Sequence, residues 1–106
     1  MTRIKTVRVL GVNYTLVGDT KLGTESCTSG KFIPDLCKIA LNPALKAQEQ
    51  GTTIIHEILE AVAFKLQLRG KEYGHDQLHA QAETLYSVLR DNPALIRAVL
   101  GGKSLV

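Results

Sequence analysis

The stretch that decides the fold is Thr52-Thr53-Ile54-Ile55-His56-Glu57-Ile58-Leu59-Glu60-Ala61-Val62-Ala63-Phe64. Apolar residues surround almost the whole circumference of this predicted helix, a pattern typical of a helix packed on most sides. Its ionisable residues lie close together at the middle: His56, Glu57 and Glu60. Because an unpaired carboxylate is expensive to bury, buried carboxylates are paired, protonated or bound to a metal. We therefore predict that residues 52–69 form a buried metal-binding helix.

The spacing of the three polar residues agrees with a metal site. His56 and Glu60 are four residues apart, so both project from one face of the helix. An imidazole nitrogen and a carboxylate oxygen placed in this way can bind one ion at about 2.0–2.2 Å. Glu57 is rotated by about 100° from His56, so it can hydrogen-bond a metal-bound water instead. The arrangement is that of His-Glu-x-x-His with glutamate as the last residue; the alternative is three polar residues in a solvated groove.

A catalytic zinc site needs three protein ligands and an open position for water. The remaining histidines are His75 and His79, which are also four residues apart, at the start of a second predicted helix. We predict that His75 is the third ligand, although an antiparallel helical hairpin would place it near the end of the long helix. If both histidines bound the metal, its shell would be closed and the site structural.

The N-terminal part of the chain predicts strands. Residues 4–10 and 14–17 are rich in β-branched residues and read as a β-hairpin, with Gly11 and Asn13 in the turn. Residues 18–34 are polar and predict a loop, with or without a short strand inside it. Residues 36–41 predict a third strand, which could pair with an extended substrate at the edge of the sheet.

The rest of the chain predicts helices. Asn42-Pro43 has the form of a helix N-cap followed by proline at the first helical position. From there one helix is favoured up to position 69, with Gly51 inside it rather than breaking it in two. A second helix is predicted over residues 75–90, and the repeated Asn-Pro pair at 92–93 opens a short helix over 94–100.

Length and composition fit one soluble α+β domain over residues 1–106. The chain is 44% hydrophobic and 22% charged, with a net charge of +3. Its basic residues are dispersed and aromatic residues make up 5%, so no dedicated nucleic-acid site is expected. Neither a signal peptide nor a membrane span is expected. We predict a cytoplasmic protein in which Cys27 and Cys37 stay reduced, with Cys37 a core residue on a strand; a disulfide between them remains an alternative.

Asn42-Pro43-Ala44-Leu45, followed by the run from Gln50 to Glu57, resembles the segment leading into the zinc helix of repressor-cleaving metallopeptidases of mobile elements. The chain resembles still more closely a group of small phage and prophage proteins. Their pattern is a threonine-led His-Glu-Ile-x-Glu-Ala, a downstream histidine, and an aromatic-containing helix that closes on Asp-Asn. The matching residues are Thr53, His56 to Ala61, His75, Leu85-Tyr86 and Arg90-Asp91-Asn92-Pro93.

The resemblance implies a zincin-like core, in which a small antiparallel sheet packs on the long metal-binding helix and a second helix. It implies a Zn²⁺-dependent peptidase of the bacterial host's cytoplasm, acting on a peptide or protein. Glu57 would be the general base, with His56, Glu60 and His75 as ligands. Glu60 departs from the better-characterised peptidases, which carry histidine there. The rival hypothesis is a non-catalytic phage accessory or binding protein with a structural metal site.

Overall fold

The computed structural model describes residues 4–24, 28–67 and 75–106 and, within the last range, the side chains from residue 80 onward. The chain has the predicted α+β architecture. In chain order its elements are β1 (Thr6–Val9), β2 (Val12–Gly18), α1 (Lys21–Thr24), β3 (Gly30–Ile33), a 3-10 turn (Pro34–Leu36), β4 (Lys38–Leu41), α2 (Ala47–Leu66), α3 (His75–Asp91) and α4 (Pro93–Leu100).

The four strands form one sheet in the order β1-β2-β4-β3. β1 pairs with β2 and β3 with β4 in antiparallel fashion, but β2 and β4 are parallel. The expected antiparallel sheet is therefore a mixed one. The segment between β2 and β4 contains α1 and β3, which is long enough for the crossover that parallel strands require.

The hairpin between β1 and β2 is confirmed, with a different turn. Val9 pairs with Val12, so Leu10 and Gly11 are the central turn residues. Their φ angles are 49° and 80°, both positive as a type I′ turn requires. Asn13, which we expected in the turn, lies in β2 opposite Arg8.

The long helix is shorter than predicted at both ends. The Asn42 side chain accepts a hydrogen bond from the Ala44 N–H at 3.0 Å, which closes a local turn rather than a helix. Lys46 is extended and α2 begins after it. At the other end Gln67 adopts a left-handed conformation, with φ 55°. Gly51 lies inside the continuous helix, as predicted.

α2 packs against the sheet with one face and exposes the other. Its buried apolar residues meet the inner face of the sheet, in a core formed by Val7, Val9, Tyr14, Leu16, Ile39, Leu41, Ile54, Ile58, Ala61 and Val62. Ile55, His56 and Leu59 are exposed. The prediction of a helix packed on most sides is therefore wrong, because the face that carries these three residues stays exposed although α2 also contacts α3 and α4.

Two further expectations change at the ends of the sheet. α4 begins at Pro93 as predicted, but the Asn92 side chain makes no capping hydrogen bond. Cys37 is an exposed free thiol with φ 47°, just before β4, and not a core residue on a strand. Cys27 lies outside the described residues, so its pairing is untested. Within the described ranges no helix has the length and apolarity needed to cross a membrane.

Candidate functional site

The three ionisable residues predicted from the sequence lie together on the middle turns of α2. The side chains of His56 and Glu60 are 70% and 37% exposed, and His56 Nε2 lies 4.0 Å from Glu60 Oε1. They therefore form the shared face that the four-residue spacing predicts. Glu57 is different, because only 5% of its surface is exposed. The helix thus presents two of the three groups to solvent and holds the third against the sheet.

The close approach of α2 to β3 explains the burial of Glu57. A Cβ atom on Gly30, the first residue of β3, would lie 2.6 Å from Thr53 Cγ2 and 3.4 Å from Glu57 Cγ. A side chain at this position would therefore push the helix away from the strand. Further along the same contact, the rings of Phe32 and Phe64 meet edge to face with centroids 5.8 Å apart. The missing side chain of Gly30 brings Glu57 under the edge of the sheet.

A groove of about 340 Å³ lies between the start of β3 and α2. Its lining residues are mostly polar: Thr28, Ser29, Gly30, Thr52, Thr53, His56 and Glu57. Among the residues that the structure describes, none donates a hydrogen bond to the Glu57 carboxylate. Since no described side-chain oxygen is both fully buried and without a partner, the Glu57 carboxylate meets solvent in the groove, and its partial loss of hydration carries a cost. A ligand that brings a cation or a hydrogen-bond donor into the groove would remove that cost.

The surroundings of Glu57 change its acidity. Burial raises the pKa of this carboxyl above its ordinary value of 4.5; the neighbouring His56 lowers the pKa and the Glu60 carboxylate raises it. The net shift is upward because loss of hydration of the charged form is the largest cause. A carboxylate whose pKa is raised is a stronger base than an ordinary one, which suits it to accept a proton in general-base catalysis.

The predicted third ligand lies outside what can be described. The backbone of His75 begins α3, but the side chains of His75 and His79 belong to the undescribed part. Across the described side chains, no three His, Cys, Asp or Glu groups form a cluster that could hold a metal ion. His56 and Glu60, two of the three predicted donors, lie close together, and the metal-binding role of all three residues remains a prediction.

The expectation that the strand predicted at residues 36–41 lies at the edge of the sheet is wrong. β4, within the predicted strand 36–41, lies inside the sheet between β2 and β3. β3 is the edge strand beside the groove, and among the described strands none pairs with its outer side. The signal for β3 was the short run Lys31-Phe32-Ile33 between Gly30 and Pro34, inside what we predicted as loop.

The free edge of β3 has a defined pattern of backbone groups. The Ser29 carbonyl accepts a hydrogen bond from the Asn42 N–H at 2.8 Å, which makes these two residues a hydrogen-bonded pair. In an antiparallel ladder the inward-bonding residues alternate. It follows that Lys31 and Ile33 bond towards β4, while the N–H and C=O groups of Gly30 and Phe32 point out of the sheet, beside the groove.

The chain was compared with known proteins at the level of family, sequence and fold. Protein-family models, curated proteins and solved structures all gave no match.

Proposed function

We propose that the protein is a zinc-dependent peptidase whose substrate lies along the free edge of β3 and across the groove to α2. One observation carries the proposal. Glu57 is a nearly buried carboxylate without a donor among the described residues, and it opens into a groove that it shares with an exposed histidine. That histidine, His56, lies one helical turn from a second carboxylate, Glu60.

The donors on α2 suit a zinc ion. Two ligand atoms bound tetrahedrally at about 2.1 Å are separated by about 3.4 Å. His56 Nε2 and Glu60 Oε1 are 4.0 Å apart, and a change of rotamer at the exposed His56 side chain would bring them to that separation. The third donor is assigned to His75 as an expectation. Bound zinc would polarise the scissile carbonyl and lower the pKa of its water.

In the proposed reaction a side chain of this protein would transfer the proton, and its backbone would hold the substrate. Glu57 would accept the proton of the attacking water and pass it to the leaving amine. Its position in the groove, with little contact with bulk water, favours the uncharged form to which proton acceptance leads. The outward-facing backbone groups of Gly30 and Phe32 would hydrogen-bond an extended peptide, as strands added to a free sheet edge do.

The exposure of His56 bears on the rival function, a structural metal site in a non-catalytic protein. A structural zinc is enclosed by four protein ligands. The His56 side chain is 70% exposed on the outer face of α2, which leaves a solvent-facing position beside it. This exposure favours an open site over a closed one.

The test uses β-casein, an unfolded protein, as substrate for the zinc-loaded chain. Glu57→Gln keeps the shape of the side chain but removes the base, so it should retain zinc and lose at least about 100-fold in cleavage rate. Glu49→Gln removes a carboxylate from the exposed first turn of the same helix and should leave the rate unchanged. Zinc content is measured by elemental analysis. A Glu57→Gln protein as active as the parent would contradict the proposal.

A further inference from the structure

A second groove lies on the opposite flank of α2, between that helix and α4. It has a volume of about 540 Å³ and is lined by Gln48, Gly51, Thr52, Ile55, Val99, Leu100 and Gly102. Its walls are apolar on both sides, with Ile55 from α2 and Val99 and Leu100 from α4. Leu100 is 83% exposed, and Leu59, one turn beyond Ile55, is also exposed. Adjacent exposed apolar residues on a small domain are typical of a contact surface.

This second groove adjoins the candidate site across the exposed face of α2. Thr52 lines both grooves, and Ile55 directly precedes His56 in the chain. A helix with its side chains is about 10–12 Å across. An extended chain rises about 3.3 Å per residue, so about three residues cover that distance. A peptide that lies over His56 and Glu60 from the β3 side therefore reaches the apolar groove within a few residues.

We propose that the groove between α2 and α4 binds an apolar side chain of the substrate, two or three residues from the scissile bond. The inference rests on the proposed peptidase function and specifies its substrate class, a peptide with leucine or a residue of similar size at that position. Ile55 and Leu100 are the specificity-determining residues, since they form opposite walls of the groove. Removing a buried apolar contact of this size lowers a specificity constant by about 10-fold or more.

The experiment maps the bonds that the zinc-loaded protein cleaves in β-casein, by mass spectrometry, and measures kcat/KM for each. Apolar residues should be enriched at one position, two or three residues from the cleaved bond. Leu100→Asp places a charge in one wall and should lower kcat/KM at those sites by about 10-fold or more, with a smaller effect elsewhere. Ile55→Asp, in the opposite wall, should produce the same pattern. Leu36→Asp is the matched control, because Leu36 is 64% exposed and lines neither groove.

The outcomes separate the inference from the function on which it rests. If the parent protein cleaves β-casein without an apolar preference, the peptidase function stands and the inference is wrong. The inference is equally wrong if Leu100→Asp lowers cleavage evenly at all sites, or if Leu36→Asp has the same effect. If the parent cleaves nothing with zinc bound, the peptidase proposal fails and the inference fails with it.

Discussion

At the scale of single residues, the fold holds the Glu57 carboxyl where its charge is disfavoured. Burial raises its pKa, the adjacent Glu60 adds to the rise, and His56 opposes it. A group with a raised pKa stabilises the folded protein only while it is protonated. The contribution of Glu57 to stability is thus complete below the ordinary pKa of 4.5 and is lost as pH rises through the raised pKa.

This behaviour predicts a pH-dependent effect of Glu57→Gln on the metal-free protein. Glutamine carries no charge at any pH, so the variant should be more stable than the parent at pH 7 to 8. The difference should shrink as the pH falls and become small below pH 4.5, where the parent carboxyl is protonated. Urea unfolding across this pH range measures the difference in the free energy of unfolding between the variant and the parent. Glu49→Gln, at an exposed position, is the control. An advantage that grows towards acid pH would show that the fold favours the charged form.

The sequence predicted that His56 and Glu60 share a helix face, but not how deeply each residue of the candidate site is buried. Four-residue spacing alone places His56 and Glu60 on one face of a helix. That Glu57 faces the sheet while His56 faces solvent depends on Gly30, 27 positions before Glu57 in the chain, and on its contact with Thr53. No periodicity in the helix itself carries that information, because apolar residues occur on both its buried and its exposed sides.

At the scale of elements, α2 shows which sequence features determined where the helix begins and whether it continues. The Asn42-Pro43 pair looked like a helix start, yet the Asn42 side chain and carbonyl bond the N–H groups of Ala44 and Leu45 in a turn. The start of the helix depended on a local choice between two uses of the same asparagine. The continuity of the helix through Gly51 was predicted correctly, since one glycine costs only about 1 kcal/mol.

Gly51→Ala should therefore stabilise the protein, by up to about 1 kcal/mol. The added Cβ would lie 3.5 Å from Val99 Cγ1, an ordinary van der Waals contact. Gly30→Ala is the contrasting variant, because its Cβ would lie 2.6 Å from Thr53 Cγ2 and should destabilise the protein by about 1–3 kcal/mol. Urea unfolding measures both. Equal changes in the two variants would show that backbone entropy, rather than the α2–β3 contact, dominates at Gly30.

Asn92 connects two elements that the sequence does not associate. Its Oδ1 accepts from the Arg8 N–H at 2.9 Å, while Nδ2 donates to the Arg8 and Val88 carbonyls at 2.8 and 2.7 Å. The side chain thus pairs with the outer edge of β1 as a neighbouring strand would. Asn92 is the N-cap residue of α4, as predicted, but its side chain does not cap the helix because it bonds Arg8, 84 positions away, and Val88 at the end of the preceding helix.

Asn92→Asp should destabilise the protein by about 2 kcal/mol or more. The substitution keeps the acceptor for Arg8 but removes both donors, which leaves two carbonyls unsatisfied and buries a charge. Asn13→Asp is the control, since Asn13 is exposed and its side-chain oxygen accepts from the Arg8 guanidinium at 3.1 Å. A carboxylate suits that contact, so its effect should be small. Thermal unfolding compares the two; similar losses would mean that the β1 contact of Asn92 contributes little.

At the scale of the whole molecule, the α+β class followed from the sequence while the parallel β2–β4 pairing did not. Strand propensities indicate where strands lie but not which neighbours they choose across a crossover. The short strand left open within residues 18–34 is β3, and the sequence could not place it because four residues in a polar stretch become a strand only by pairing with β4. This strand forms the free edge beside Glu57, where the proposed substrate would bind.

Substitutions of the metal ligands and of the two histidines of α3 test whether the protein binds zinc. Zinc bound by groups on both α2 and α3 would connect the helices, and it stabilises the folded state by mass action, by about 2.7 kcal/mol at 100 times its dissociation constant. For a domain of this size that corresponds to a rise in melting temperature on the order of 10 °C.

We expect one zinc per chain, and the combined His56→Ala and Glu60→Ala substitutions should abolish binding and the rise in melting temperature. His75→Ala should lose most of the zinc binding and most of the rise in melting temperature. His79→Ala should lose little of either quantity. Equal, large losses from the two histidine variants would indicate four protein ligands and a structural site, and a chain that takes up no zinc would end the metal hypothesis.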